Sequence, residues 1–276
     1  GANTWKVGSL NTDFIFAGSI TGTGTVFEKL GSGMMTMSGT SHFTGKATIS
    51  EGTICLNKST AKAGMLGTGV LSVGKGATLC GVGLLDNSSV SVADGGVLRP
   101  GVKETSTSGT LKFNGRNVVI NNGATLRFYI GSRSLYTKLT DVGSLSLRGT
   151  LKVEVREGAT LEEGDEFQLW TSNSTNTSTT TVFELDSIGG GLVWDTSNIE
   201  SGILRVVKEG TAIEAIDADK LLQCVIYNAN GVECVRYMCR YDEVAIRLSE
   251  QGLPKGVYVV RMATASSELV EKYVVK

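Results

Sequence analysis

"GATL" stands at Gly76–Leu79, again at Gly123–Leu126 and again at Gly158–Leu161. Shorter relatives fill the gaps: "GTI" from Gly52, "GVL" from Gly69 and Gly96, "GTL" from Gly109 and Gly149. What surrounds these words has the two-residue period of a half-buried strand. In "GTLKVEVREGATL" Leu151, Val153 and Val155 alternate with Lys152, Glu154 and Arg156. In "GATLRFYIG" Leu126, Phe128 and Ile130 share one face, and Arg127 and Tyr129 the other. Each run is short and ends at a Gly, Asn or Asp corner. A chain that returns to the same inward position restates the same small-then-aliphatic word, while corner loops vary in length without disturbing the stack. Short strands, glycine corners and inexact repetition point to a solenoid rather than a sandwich. The expected fold class is all-β: a single-stranded right-handed parallel β-helix over residues 1–210, then a small antiparallel β-sandwich module over 211–276. At roughly 20–25 residues per coil, about eight or nine coils would stack in the first part.

Composition agrees with this reading. Glycine is 36 of 276 residues and proline only 2, which suits many tight corners and rules out collagen-like or Pro-rich disorder. Net charge is −1 with both signs dispersed, so no nucleic-acid partner is expected. No apolar run reaches the roughly 18 residues of a membrane helix, so no transmembrane segment is expected. The five cysteines (Cys55, Cys80, Cys224, Cys234, Cys239) form no C-x-x-C pair, and His42 is the single histidine. That pattern predicts small buried strand residues rather than a metal centre.

The stretch Phe14–Asn57 resembles the autotransporter-associated β-strand repeat of bacterial surface and secreted proteins. The matching positions are Gly18, Gly22, Gly24, Lys29, Gly31, Gly33, Ser38, Gly39, Phe43, Gly45, Gly52 and Ile54. "VSVADGGVLRPG" (Val90–Gly101) and "GGGLVWDTSNIESGILRV" (Gly189–Val206) are similar to segments that follow such repeats. The resemblance implies a right-handed parallel β-helix serving as a stalk or passenger scaffold, and it supplies the handedness.

Beyond Thr211 the composition shifts. "LLQCVIYNANGVECVRYMC" reads as two strands about an Asn230–Gly231 turn, and Pro254–Gly256 marks a further turn. This tail resembles the C-terminal sorting domain of type IX secretion substrates through Ile226, Tyr227, Asn230, Gly231, Leu253, Pro254, Gly256, Val257, Tyr258 and the final "KYVVK". It lacks the Asn-Pro that usually precedes the first strand. The resemblance implies a secreted or outer-surface protein of a gram-negative bacterium, with the secretion machinery as partner of the tail. A solenoid end needs capping, so upstream domains of the same polypeptide are a further expected partner.

No complete catalytic set is legible, and the chain is read as non-enzymatic, with no catalytic residue, metal site or cofactor. "NTD" (Asn11–Asp13) lacks the companion groups of a glycosidase, since one carboxylate cannot act as both acid and base. His42 has no evident partner. Arg127, Arg156, Asp94 and Asp141 read as outward charges. The Ser/Thr-rich run Thr171–Thr181 reads as an exposed corner loop. Tyr129 (outward by strand parity), Trp170 and Tyr136 are candidate contacts for a polysaccharide or host surface glycan, because their rings can stack on sugar faces. Trp194 reads as structural. The structural corners are Gly52, Gly76, Gly123 and Gly158. The leading expectation is a rigid spacer or adhesin-type segment with a C-terminal sorting or attachment module. The alternative is a carbohydrate-binding β-helix, or the non-catalytic part of a polysaccharide lyase or glycoside hydrolase.

Overall fold

The structure, a computed structural model, describes residues 2–61, 64–103, 108–208, 222–240, 243–244, 251–263 and 268–275. The expected boundary at 210/211 and the terminal Lys276 lie outside them. The chain divides into two compact units, Gly1–Val207 and Lys208–Lys276.

The first unit is all-β, and its strands, numbered along the chain, form two long parallel ladders. The first ladder stacks β1 (Thr4–Val7), β4 (Val26–Lys29), β7 (Ala47–Ile49), β9 (Leu71–Val73), β11 (Ser89–Val92), β13 (Gly109–Ile120), β15 (Leu135–Leu147) and β18 (Trp170–Thr177). The second stacks β2 (Phe14–Phe16), β5 (Met34–Met37), β8 (Thr53–Asn57), β10 (Thr78–Leu84), β12 (Val97–Pro100), β14 (Thr125–Ser132), β16 (Thr150–Val155) and β19 (Val182–Leu185). A short pair, β3 (Thr21–Gly22) and β6 (His42–Phe43), lies apart from both. β10 also pairs with β13 and β14 with β15, so β10, β12, β14, β15 and β13 close into a ring of pairings. A small sheet joins β17 (Glu166–Gln168), β20 (Leu192–Asp195) and β21 (Ile203–Lys208).

Register explains the repeated words. The aliphatic residues of five words, Ile54, Leu79, Leu98, Leu126 and Leu151, fall with Met35 in one column of the second ladder, while Leu71 and Leu111 fall in the first ladder, and all of these are buried. In the first ladder the matching column runs Ile49–Val73–Val92–Ile120–Leu147. A strand alone can bury only one face, and stacking turns that face into a continuous core.

The glycines serve two different purposes. Gly76 and Gly158 have φ of 72° and 78° with open space where a Cβ would stand, so they are needed for the left-handed backbone of the corner. Gly69 lacks that constraint, but a Cβ there would strike the Gly45 carbonyl of the preceding strand level. Gly52 combines both demands, and Gly123 (φ 75°) faces the Asp94 carboxylate. The third "GATL" departs from expectation: Ala159 donates its N–H to Arg156 O as in a corner, but Leu161 lies in no strand. We expect Gly69→Ala to cost about 2–3 kcal/mol through backbone displacement. Gly76→Ala should cost about 1 kcal/mol through φ alone. Urea unfolding of both variants checks this, and a larger loss at Gly76 would overturn the stacking argument.

Of the Ser/Thr run expected as a loop, Thr171–Thr177 is instead part of strand β18, paired with β15 at Leu145↔Thr175 and Leu147↔Thr177, and only Ser178–Thr181 forms a turn. β-branched threonine suits a pleated backbone, and the hydroxyls find partners: Trp170 Nε1 donates to Thr175 Oγ1 (3.0 Å), which also meets Ser172 Oγ (2.8 Å).

In the second unit β22 (Leu222–Asn228), β23 (Glu233–Cys239), β24 (Gly256–Ala263) and β25 (Glu268–Val275) form one antiparallel sheet, ordered β23-β22-β24-β25. Among the described residues this is a single sheet, not the two of a sandwich. The turn is set by Asn228, whose side-chain oxygen accepts from the N–H groups of Asn230 and Val232. Tyr258 donates its hydroxyl to Pro254 O at 2.8 Å. Cys224, Ile226, Tyr258, Val260 and Met262 form its core.

Candidate functional site

β13 and β15 are long because each turns a corner without breaking. Asn114 (φ 49°) and Gly115 (φ 71°) bend β13, and Asp141 (φ 57°) bends β15 at the equivalent level. Hydrogen bonds between levels hold the corner. Asp86 Oδ1 accepts from Asn114 Nδ2 (3.0 Å) and from Arg116 Nε and Nη2 (3.0 and 2.9 Å). These bonds, Asn114 first, hold the Asp86 carboxyl below its ordinary value. Asp141 N–H donates to Thr171 Oγ1.

The half of β13 that precedes this corner pairs with the end of β10 on one side and with the first half of β15 on the other, making a short lateral face. Leu84 lies opposite Lys112, Thr110 opposite Lys138, and Lys112 opposite Thr140. Leu111 and Leu139, of the other parity, point into the core. This face floors a groove of about 610 Å³, bordered by Ser59 and Ala61 on one side and by Ser108, Ser134 and Tyr136 at one end. Lys112 and Lys138 are diagonal neighbours on adjacent strands, so their attachment points lie about 7–8 Å apart. Lys138 Nζ sits 5.7 Å from the centre of the Tyr136 ring, a cation–π arrangement. Lys112 Nζ is 3.5 Å from Asp141 Oδ2, but both side chains are half exposed, so that pair holds the lysine weakly. Tyr136 is fixed from behind by an edge-on contact with Phe167 (5.4 Å, 88°), which in turn packs against Trp194. Among the described residues that line the groove, none is a carboxylate or a histidine.

The three aromatic candidates have different fates. Tyr136 lines the groove. Tyr129 does not face solvent, although its strand parity is outward: only 1% of it is exposed. The Arg156 guanidinium covers its ring at 3.6 Å and Arg99 approaches at 5.8 Å. Trp170 lies opposite Leu139 and is fully buried, stacked on Phe128 at 6.1 Å. Neither ring is accessible to a glycan. Trp194 is half-buried, with its indole N–H on Asp186 O.

The remaining candidates are structural in their surroundings. Asp13 Oδ1 accepts the N–H of Met34, and Asn11 Oδ1 that of Ser32, so "NTD" ties one strand level to the next. His42 is exposed on β6 beside Thr21. Cys55 and Cys80 are buried neighbours in register, and Cys224 is buried, but Cys234 is exposed, contrary to the expectation for a strand cysteine. The side chain of Cys239 lies outside the described residues. Among the described residues no helix is long and apolar enough to cross a membrane, which says nothing of strands.

Sequence reasoning missed the lysines. Lys112 and Lys138 alternate with apolar residues as any outward strand position does, and nothing in a linear reading marks them as neighbours across a groove. No protein-family model matches the chain, and no curated protein matches it.

Proposed function

We propose that the first unit is a right-handed parallel β-helix acting as a rigid, non-enzymatic spacer in a larger secreted or surface protein of a gram-negative bacterium. The second unit is then its sorting or attachment module, with the secretion machinery as partner. The observation that carries this reading is the parallel stacking of two ladders, shifted in register at the β13–β15 corner, whose inward columns are apolar from Ile49 to Leu147 and from Met35 to Leu151. Such a stack resists bending because every level is joined to the next by backbone hydrogen bonds and shared core. The resemblance of Phe14–Asn57 to passenger repeats supplies the handedness and the surface location, and that of the tail to type IX sorting domains supplies the export role.

Two experiments test this. With Cys234 and Cys239 replaced by serine, dyes on Lys6→Cys and Ser174→Cys, on β1 and β18, should report one narrow distance of roughly 30–35 Å, set by about 4.8 Å per strand. A broad distribution would defeat the spacer reading. Residues 211–276 fused to a periplasmic reporter in a type IX-competent bacterium should bring the reporter to the cell surface or the medium. Retention in the periplasm would defeat the sorting assignment.

A further inference from the structure

We propose that the groove over β10, β13 and β15 is a binding site for an acidic oligosaccharide, a sugar chain bearing carboxylate or sulfate groups. This goes beyond the spacer reading and stands independently of it. The floor is graded in chemistry across three strands. β10 contributes apolar Val82 and Leu84, β13 contributes Thr110 and Lys112, and β15 contributes Tyr136, Lys138 and Thr140. A volume of about 610 Å³ lies within the range of small-ligand clefts.

Each part matches a distinct feature of such a ligand. The Tyr136 ring is held by Phe167 in a fixed plane and offers an apolar surface for the C–H face of a pyranose. Thr110, Thr140, Ser59, Ser108 and Ser134 place hydroxyls, which both donate and accept, around ring hydroxyls. Lys112 and Lys138 supply two positive charges on adjacent strands, with no carboxylate among the described lining residues to neutralise them inside the groove. Asp141 stands outside the lining and holds Lys112 only through a half-exposed pair that an incoming anion can replace. A neutral sugar leaves both ammonium groups unused, and a simple polyanion leaves the ring and the hydroxyls unused. The combination selects a sugar that is also an anion.

The test is calorimetric titration of the whole chain with galacturonate hexamer, a sulfated hexasaccharide, maltohexaose and a polyphosphate of comparable charge. We expect binding of one or both acidic sugars, weakened by salt, and at least tenfold weaker binding of maltohexaose and polyphosphate. Lys112→Gln with Lys138→Gln, both at the protein surface, should weaken acidic-sugar binding at least tenfold while leaving the thermal transition in place. Tyr136→Phe should retain binding, and Tyr136→Ala, with its fold checked by thermal melting, should lose it. Preference for the uronate or the sulfated chain identifies the anion. Absence of binding by both acidic sugars overturns the proposal, as do equal binding of maltohexaose or of polyphosphate and binding unchanged in the double glutamine variant.

Discussion

Val153→Lys is expected to destabilise the first unit by about 3–5 kcal/mol, the cost of an uncompensated charge in a packed interior. Val153 is fully buried in the column Phe128–Val153–Leu185, with apolar neighbours on the strands to either side and no route by which an ammonium at this point reaches water without displacing the core. The adjacent residue gives the control. Lys152 points the other way, between Arg127 and Glu184 in register, and makes partly exposed ion pairs with Glu154 (3.7 Å) and Glu184 (3.5 Å). Such pairs contribute about 0–1 kcal/mol, and valine recovers part of that through its preference for strands. Lys152→Val should therefore leave the urea midpoint nearly unchanged while Val153→Lys lowers it sharply. Equal effects from the two would sink the assignment of strand faces.

Lys29 should behave in the opposite sense to an ordinary surface lysine: removing its amino group should harm the fold. It occupies the inward position of β4, between Val7 and Ile49 in the first ladder, and is fully buried. Its ammonium donates to Leu30 O and Gly31 O at 2.7 Å each and to Glu51 O at 3.4 Å. Charge-assisted bonds to backbone carbonyls offset the desolvation of the charge, and the carbonyls depend on them in return. Lys29→Met keeps most of the volume but strips those acceptors, and should cost about 2 kcal/mol. Lys29→Ala adds a cavity and should cost about 4 kcal/mol. Burial pushes the Lys29 ammonium below its ordinary value, against the pull of the Glu51 and Asp13 carboxylates. The folded state therefore releases this proton before the unfolded state does. In the alkaline window between the lowered folded value and the ordinary one, this group's contribution to stability rises with pH. The difference between wild type and Lys29→Met in thermal melts should widen there. A Lys29→Met protein as stable as wild type would mean that water satisfies the carbonyls and the lysine merely fills space.

Lys29 also shows how a residue can be legible as a motif member and illegible as an object. The spacing Lys29-x-Gly31-x-Gly33 stands out in the sequence, but a lysine four residues into a strand reads as an outward charge. Its reason appears only when the chain has folded back and the Leu30, Gly31 and Glu51 carbonyls surround one point. The same holds at the groove. Tyr136 was a candidate from its chemistry alone, whereas its neighbours Leu84 and Lys112 come from other strands, and only the register of β10 on β13 and of β13 on β15 brings them beside it.

What the sequence by itself determined is the local alternation and the punctuation. Leu126, Phe128 and Ile130 had to share a face because successive Cβ atoms of a strand point to opposite sides. Gly76 had to mark a corner because few other residues accept its positive φ. Both are properties of a few consecutive residues. Only the tertiary structure decided what covers each face. Tyr129 points away from the core column and is nonetheless buried, because the Arg156 guanidinium closes over it. The Thr171–Thr177 run became strand β18 because β15 offered it a parallel edge. Parity fixes the direction of a side chain and carries no information about what lies there, since that is supplied by segments twenty or more residues away.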